Sequence, residues 1–147
     1  MSVQTKFHGE VDIETISQWT FPKGLPGLED EKKFVLLPIE GNDSLQVMQS
    51  VGRPEIALIV SNPYTLVSNY SFEIDEPTIE LLDIKSQEDV MVLAVMTMKQ
   101  PIESSTVNLQ APLIFNINSK TAKQMILNNA KYQLRQSIGQ PVEKGAR

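Results

Sequence analysis

The chain has 147 residues, no cysteine and a formal net charge of −5 at pH 7. That length suits one ordinary domain of about 100–150 residues, and 41% hydrophobic with 21% charged residues is a globular composition rather than a disordered one. The absence of thiols excludes disulfide frameworks, thiol nucleophiles and Cys-ligated zinc.

No apolar stretch approaches the roughly 20 residues of a membrane helix. Residues 1–6 carry no apolar signal core, so a cytoplasmic address is expected. Lys6-Phe7-His8-Gly9-Glu10 reads as a tight turn between two short strands. His8 is the sole histidine, which excludes His-rich metal sites and leaves one imidazole for any proton transfer. The next segment, Thr20-Phe21-Pro22-Lys23-Gly24-Leu25-Pro26-Gly27-Leu28-Glu29, alternates prolines with glycines and so has a stiff, irregular backbone. Its large apolar side chains, Phe21, Leu25 and Leu28, must either enter the core or be offered to a partner.

Strand character follows. Lys33–Ile39 precedes the turn cluster Gly41-Asn42-Asp43, and Leu45–Val51 joins Glu55–Val60 through Gly52-Arg53-Pro54, a hairpin pattern closed by Asn62-Pro63-Tyr64. Tyr70–Ile74 alternates apolar with polar residues, as a half-buried strand does. Pro77–Ile84 reads as one or two helical turns with acids at the start, where the helix dipole favours them. Val90–Met98 is apolar enough for a strand buried on both faces. Thr106–Leu109 and Leu113–Ile117 flank Ala111-Pro112, where a bulge or sheet edge is expected because proline lacks a ladder donor. Ala122–Leu134 fits a helix, but Gln124–Leu127 within it also fits a short strand. The expected fold is all-β: an antiparallel barrel or sandwich with one or two short helices, a single domain over residues 1–137 and a flexible tail at 138–147.

Charge is divided unevenly. Residues 120–147 hold six basic residues and one acid, net +5, while the rest of the chain is net −10. Acids concentrate in Glu73, Asp75, Glu76, Glu80, Asp83, Glu88 and Asp89, against Lys85 alone. Such a surface repels phosphate and suits a cationic protein. The basic end has one aromatic, Tyr132, and makes a weak nucleic-acid signal. No Gly-rich phosphate loop or Gly-x-Ser-x-Gly turn occurs, and the carboxylate groups Glu29-Asp30-Glu31 and Asp75-Glu76 lack metal-loop spacing. No catalytic residue, cofactor or metal is therefore assigned. The alternatives are a small-ligand-binding β-barrel, which would need an internal cavity, and a hydrolase built on two of the clustered acids.

Several blocks in order carry a resemblance: Phe21-Pro22 with Gly24-Leu25-Pro26-Gly27 and Glu29, Phe34–Pro38, Leu45-Gln46 to Pro54, Asn62-Pro63, Thr106–Ile114, Gln124–Asn128 and Tyr132. Together they resemble the FliW family of flagellar assembly factors over nearly the whole chain. Leu28 stands where that family is expected to carry an aromatic. The resemblance implies a barrel-like antiparallel fold, a strand at Gln124–Leu127 and no catalysis. It also implies two alternative protein partners: newly made flagellin, and the RNA-binding translational repressor CsrA, whose repression of flagellin synthesis is relieved on binding. An acidic monomer is the default. Candidate partner contacts are Phe21, Leu25 and Leu28 on the apolar side and Asp75, Glu76, Glu80 and Asp83 on the acidic side.

Overall fold

The computed structural model describes residues 2–138 except 13, 15, 68 and 129–131. The chain opens with β1 (Ser2–Gln4) and β2 (Glu10–Asp12), an antiparallel hairpin whose turn places Gly9 at φ 64°. Then come β3 (Gln18–Thr20), β4 (Lys33–Ile39), β5 (Asn42–Ser50) and β6 (Ala57–Ser61). Two short helices follow, α1 (Pro63–Leu66) and α2 (Glu76–Leu82). The remaining strands are β7 (Val90–Thr97), β8 (Thr106–Val107), β9 (Leu113–Asn116), β10 (Thr121–Gln124) and β11 (Gln136–Ser137).

β7, β6, β5, β4, β3, β10 and β9 pair in that order, and β9 pairs back onto β7, so the sheet closes into a seven-stranded barrel. β8 and β11 extend the sheet outward from β7. All the pairs are antiparallel except β3–β10, where Thr121 lies opposite Thr20 in a parallel pair. That exception to the expected antiparallel barrel is a matter of parity. Strands that alternate up and down cannot close a ring of odd number without one parallel neighbour.

Inward-pointing side chains alternate with outward ones along each strand. Trp19, Phe34, Met48, Val60, Leu93 and Phe115 meet inside the barrel. Val35, Leu37 and Val47 point outward and are covered by Val3 of the β1–β2 hairpin. On the other side, Ala94, Met96 and Ile114 point outward under Val67, Tyr70, Leu82 and Tyr132. The barrel is thus a filled core with two separate outer coverings.

His8 in the first hairpin turn joins one covering to the barrel, with its Nε2 2.7 Å from the Pro38 carbonyl oxygen. Gln49 does the same from the barrel side, accepting from Lys6 N–H at 3.0 Å through its side-chain oxygen.

Several expectations need correction. Asn62-Pro63-Tyr64 does not merely end a strand; Asn62 caps α1, its Oδ1 accepting from Tyr64 N–H at 2.8 Å. Tyr70–Ile74 is not in the sheet. Its alternation is real, with Tyr70 buried and Ser71 and Glu73 exposed, but its partner is a side chain: Tyr132 Oη accepts from Ser71 N–H at 3.0 Å and donates to Ser71 C=O. Period-2 patterning reports which side faces protein, not whether a neighbouring strand exists. β10 lies at Thr121–Gln124, just before the expected strand at Gln124–Leu127. Past it the chain stays extended, Met125 N–H donating to Pro112 C=O and Leu127 N–H to Gln110 C=O. Of the expected tail, residues 139–147 lie outside the described residues, and Ile138 packs against the outer core.

Candidate functional site

The two sets of candidate contacts are not brought together. Phe21 is fully buried and Leu25 is 3% exposed. Phe21 sits edge-on to Phe34 and Phe115, with ring centroids 5.3 and 5.9 Å away. Leu28 is half-buried against the same core and pairs with Leu25 in an isolated bridge. The apolar side chains of this loop are therefore core, and Phe21 and Leu25 have no surface to offer a partner. Gly24 permits the tuck. At φ 64° and with Glu29 backbone atoms 2.5–2.7 Å from where a Cβ would stand, no other residue fits without displacement. The Glu29 carboxylate closes the turn by accepting from Gly27 N–H at 3.0 Å, a bond that also holds its pKa below the ordinary carboxylate value.

The acidic candidates all lie on α2 and its two caps. Asp75 is the N-cap, its Oδ1 accepting from Thr78 N–H at 2.9 Å. Hydrogen bonding from Thr78 lowers the Asp75 pKa, and Lys123 on β10 adds to the effect. Asp83 ends the helix in the left-handed conformation at φ 55°, and Ile84 N–H reaches back to Ile79 C=O at 3.0 Å. The helix buries Thr78 and Leu82 and leaves Glu76 and Glu80, one turn apart, exposed. Asn116 of β9 anchors its end: buried, it donates from Nδ2 to Leu82 C=O at 2.7 Å and to Asp83 C=O at 3.3 Å. The acids are thus displayed on a helix fixed to the barrel wall.

Asp75 and Glu76 suit the dipole at the helix start, but the rest of its charge runs against helix stability. Glu76 and Glu80 are like charges at i, i+4, which disfavour each other. No basic residue occupies the last turn, and an acid, Asp83, stands where the dipole favours a cation.

Beside this helix runs a groove of about 960 Å³ with an apolar wall (Tyr64 of α1, Phe72, Ile74, Ile84 and Val90–Leu93 of β7) and a polar one that includes Ser44, Gln46, Ser61 and Asn62. Among the described residues, the barrel interior is packed by the side chains named above, which argues against the small-ligand cavity considered from sequence. Among the described residues, no group of three His, Cys, Asp or Glu is placed to hold a metal, and no helix is long and apolar enough to cross a membrane. Sequence reasoning missed the groove. The one available signal was the Tyr70–Ile74 alternation, which supplies Phe72 and Ile74 to its wall.

A filled small barrel carrying an acidic helix and an open groove of apolar and polar lining defines a protein built around its surfaces. Comparison with known proteins gives the class its name. The family model described as FliW protein matches residues 2–138, and the chain belongs to the FliW family. It is 43% identical over 141 residues to the flagellar assembly factor FliW of Oceanobacillus iheyensis, covering 96% of each chain. Against the flagellar assembly factor FliW of Bacillus subtilis it is 40% identical, covering 95% of this chain and 97% of the relative. A crystal structure of the flagellar assembly factor FliW superposes with a TM-score of 0.87 at 33% identity, over 93% of this chain and 96% of the other. The barrel-like antiparallel fold that the resemblance implies is the fold found, with the parallel β3–β10 pair as its exception.

Proposed function

We propose that this protein is a flagellar assembly factor that binds newly made flagellin and, alternatively, the translational regulator CsrA, relieving CsrA repression of flagellin synthesis by exchange of partners. The observation that carries the reading is the full-length similarity to flagellar assembly factors, which spans both the barrel and its outer layers. Such a switch needs no reaction. Two partners whose binding is mutually exclusive redistribute by mass action as their concentrations change.

The acidic helix fits the CsrA half of the proposal. A protein that binds RNA presents cationic surface, and a helix that tolerates Glu76 against Glu80 and an acid at its C-cap has given up local stability for surface charge. Glu76 and Glu80 are the proposed direct contacts. Asp75 and Asp83 chiefly shape the helix. Flagellin is proposed to be held by apolar capture, for which the groove replaces the buried loop Thr20–Glu29 as candidate. Co-purification with flagellin and with CsrA, separately and then together, tests the proposal. Each partner should be retained alone and should displace the other; retention of neither, or of both in one complex, overturns partner exchange.

A further inference from the structure

A closed barrel removes the unpaired N–H and C=O groups that a sheet edge exposes. This barrel is not closed along its full height. β6 meets β7 only where Ile59–Ser61 face Ala94–Met96. Past Ser61 the chain leaves the sheet at Asn62 and enters α1. β9 covers Val90–Leu93 from the opposite edge. Among the described residues, Val90–Leu93 therefore have a strand on one side and the groove on the other.

Alternation decides which main-chain groups face the gap. Asn108 N–H donates to Val95 C=O at 2.8 Å and Ile117 N–H to Asp89 C=O at 2.9 Å, both on the β8–β9 edge. Successive residues of a strand direct their main-chain groups to opposite edges. Residues 89, 91, 93 and 95 thus serve β8 and β9, and Val90 and Val92 face the gap. Val90 N–H already donates to Gln87 C=O. Among the described residues, the carbonyl of Val90 and both groups of Val92 have no strand partner on that side, in the spacing that one added strand would satisfy.

The surroundings specify the added strand. Ile74, Ile84 and Phe72 wall the gap and take apolar side chains. Glu73 lines the groove, and exposed Glu88 follows the single lining cation, Lys85. The surrounding stretch 73–89 holds seven acids against that one lysine. We propose that the groove binds an extended peptide segment of a partner protein, with apolar side chains at alternate positions and Lys or Arg flanks, which pairs with β7 at Val90–Leu93. A helical occupant would leave the free groups of Val92 unused, because its own main chain is satisfied internally. The inference deepens the proposed function by giving the chemistry of one docking mode, and its test uses neither flagellin nor CsrA, so either can fail alone.

The probe is a synthetic peptide of alternating valine and threonine with two lysines at each end, added to the full chain while amide exchange is followed by NMR. The Val92 amide should slow by about tenfold or more. N-methylation of the peptide's valine amides should abolish binding, and replacing its lysines by glutamates should weaken it about tenfold at low salt, with the difference shrinking as salt rises. An unchanged Val92 amide at about 1 mM peptide, or equal binding of the N-methylated peptide, overturns the inference.

Discussion

The Thr20–Glu29 loop and the Asp75–Asp83 segment both look like partner surfaces in the sequence, yet the chain uses them in opposite ways. The loop is irregular and apolar, and its side chains go inward: Phe21 and Leu25 complete the packing inside the barrel. The helix is regular and acidic, and its charges stay outside because nothing buried could compensate them. An apolar group has two favourable destinations, core or partner, and a short barrel with an open end to fill takes it first. An unpaired carboxylate has only solvent or a cationic partner. The difference teaches that charge is the safer guide to surface function in a domain of this size, and that a stiff Pro/Gly loop is as good a plug as a display.

The largest expected effect comes from the loop. Phe21→Ala should lower unfolding free energy by about 3–5 kcal/mol, the range for deleting a buried aromatic, as read by urea denaturation. Three-ring packing with Phe34 and Phe115 puts it at the upper end. A variant that kept its stability but lost a partner would reverse the comparison and return the loop to the surface. Next comes the anchor of the helix. Asn116→Ala removes the donor to Leu82 and Asp83 C=O and the acceptor for Asn118 N–H at 2.9 Å. A loss of about 1–3 kcal/mol is expected, with hydrogen exchange rising first in α2. Exchange rising uniformly would mean that the helix is not a separable unit.

Smaller still is the cap. Asp75→Ala should cost about 1 kcal/mol at neutral pH, while Asp75→Asn, an equally good cap, should cost little. The acid limb separates cap from charge. The folded-state pKa of Asp75 is lowered from its ordinary 3.8, so its ionised form adds stability above that value and the contribution fades as pH falls through the lowered one. Asp75→Asn should flatten that part of the stability–pH curve below about pH 4; an unchanged curve would show that the bond from Thr78 N–H does not favour the charged form.

Much of this was legible in advance, for reasons particular residues make plain. Lys33–Ile39 has the bounds its sequence indicates, because a β-prone apolar run and the turn cluster after it agree. The acids of α2 were found because charge density needs no fold to be seen. What was missed depends on long-range geometry. Tyr70–Ile74 carries the pattern of a strand, but Tyr132, sixty-one residues after Ser71, supplies the partner. The parallel β3–β10 pair follows from closure with seven strands, a count no local window contains. The groove exists because β6 stops at Ser61 while β7 begins at Val90, and neither end alone signals a gap. Phe21 and Leu25 show the limit of composition: the same residues suit core and interface, and only the space inside the barrel decides.

The smallest expected effect on folding is also the sharpest test of the comparison. Reversing all four acids together would confound binding with shape, because Asp75 and Asp83 cap the helix. Glu76→Gln with Glu80→Lys avoids the caps, removes the i, i+4 repulsion and leaves the buried face untouched. Stability should stay within about 0.5 kcal/mol of the parent, as for exposed sites without special geometry. CsrA affinity should fall, mostly through slower association, and the gap from the parent should narrow as salt shortens the screening length from about 10 Å at 0.1 M to about 3 Å at 1 M. Flagellin binding should not follow, because apolar capture in the groove gains nothing from these two side chains. Equal losses for both partners would place them on one shared surface centred on α2. Unchanged CsrA binding would leave the carboxylates of this helix as solvated charge, and the comparison between a buried loop and a working helix would then rest on the groove alone.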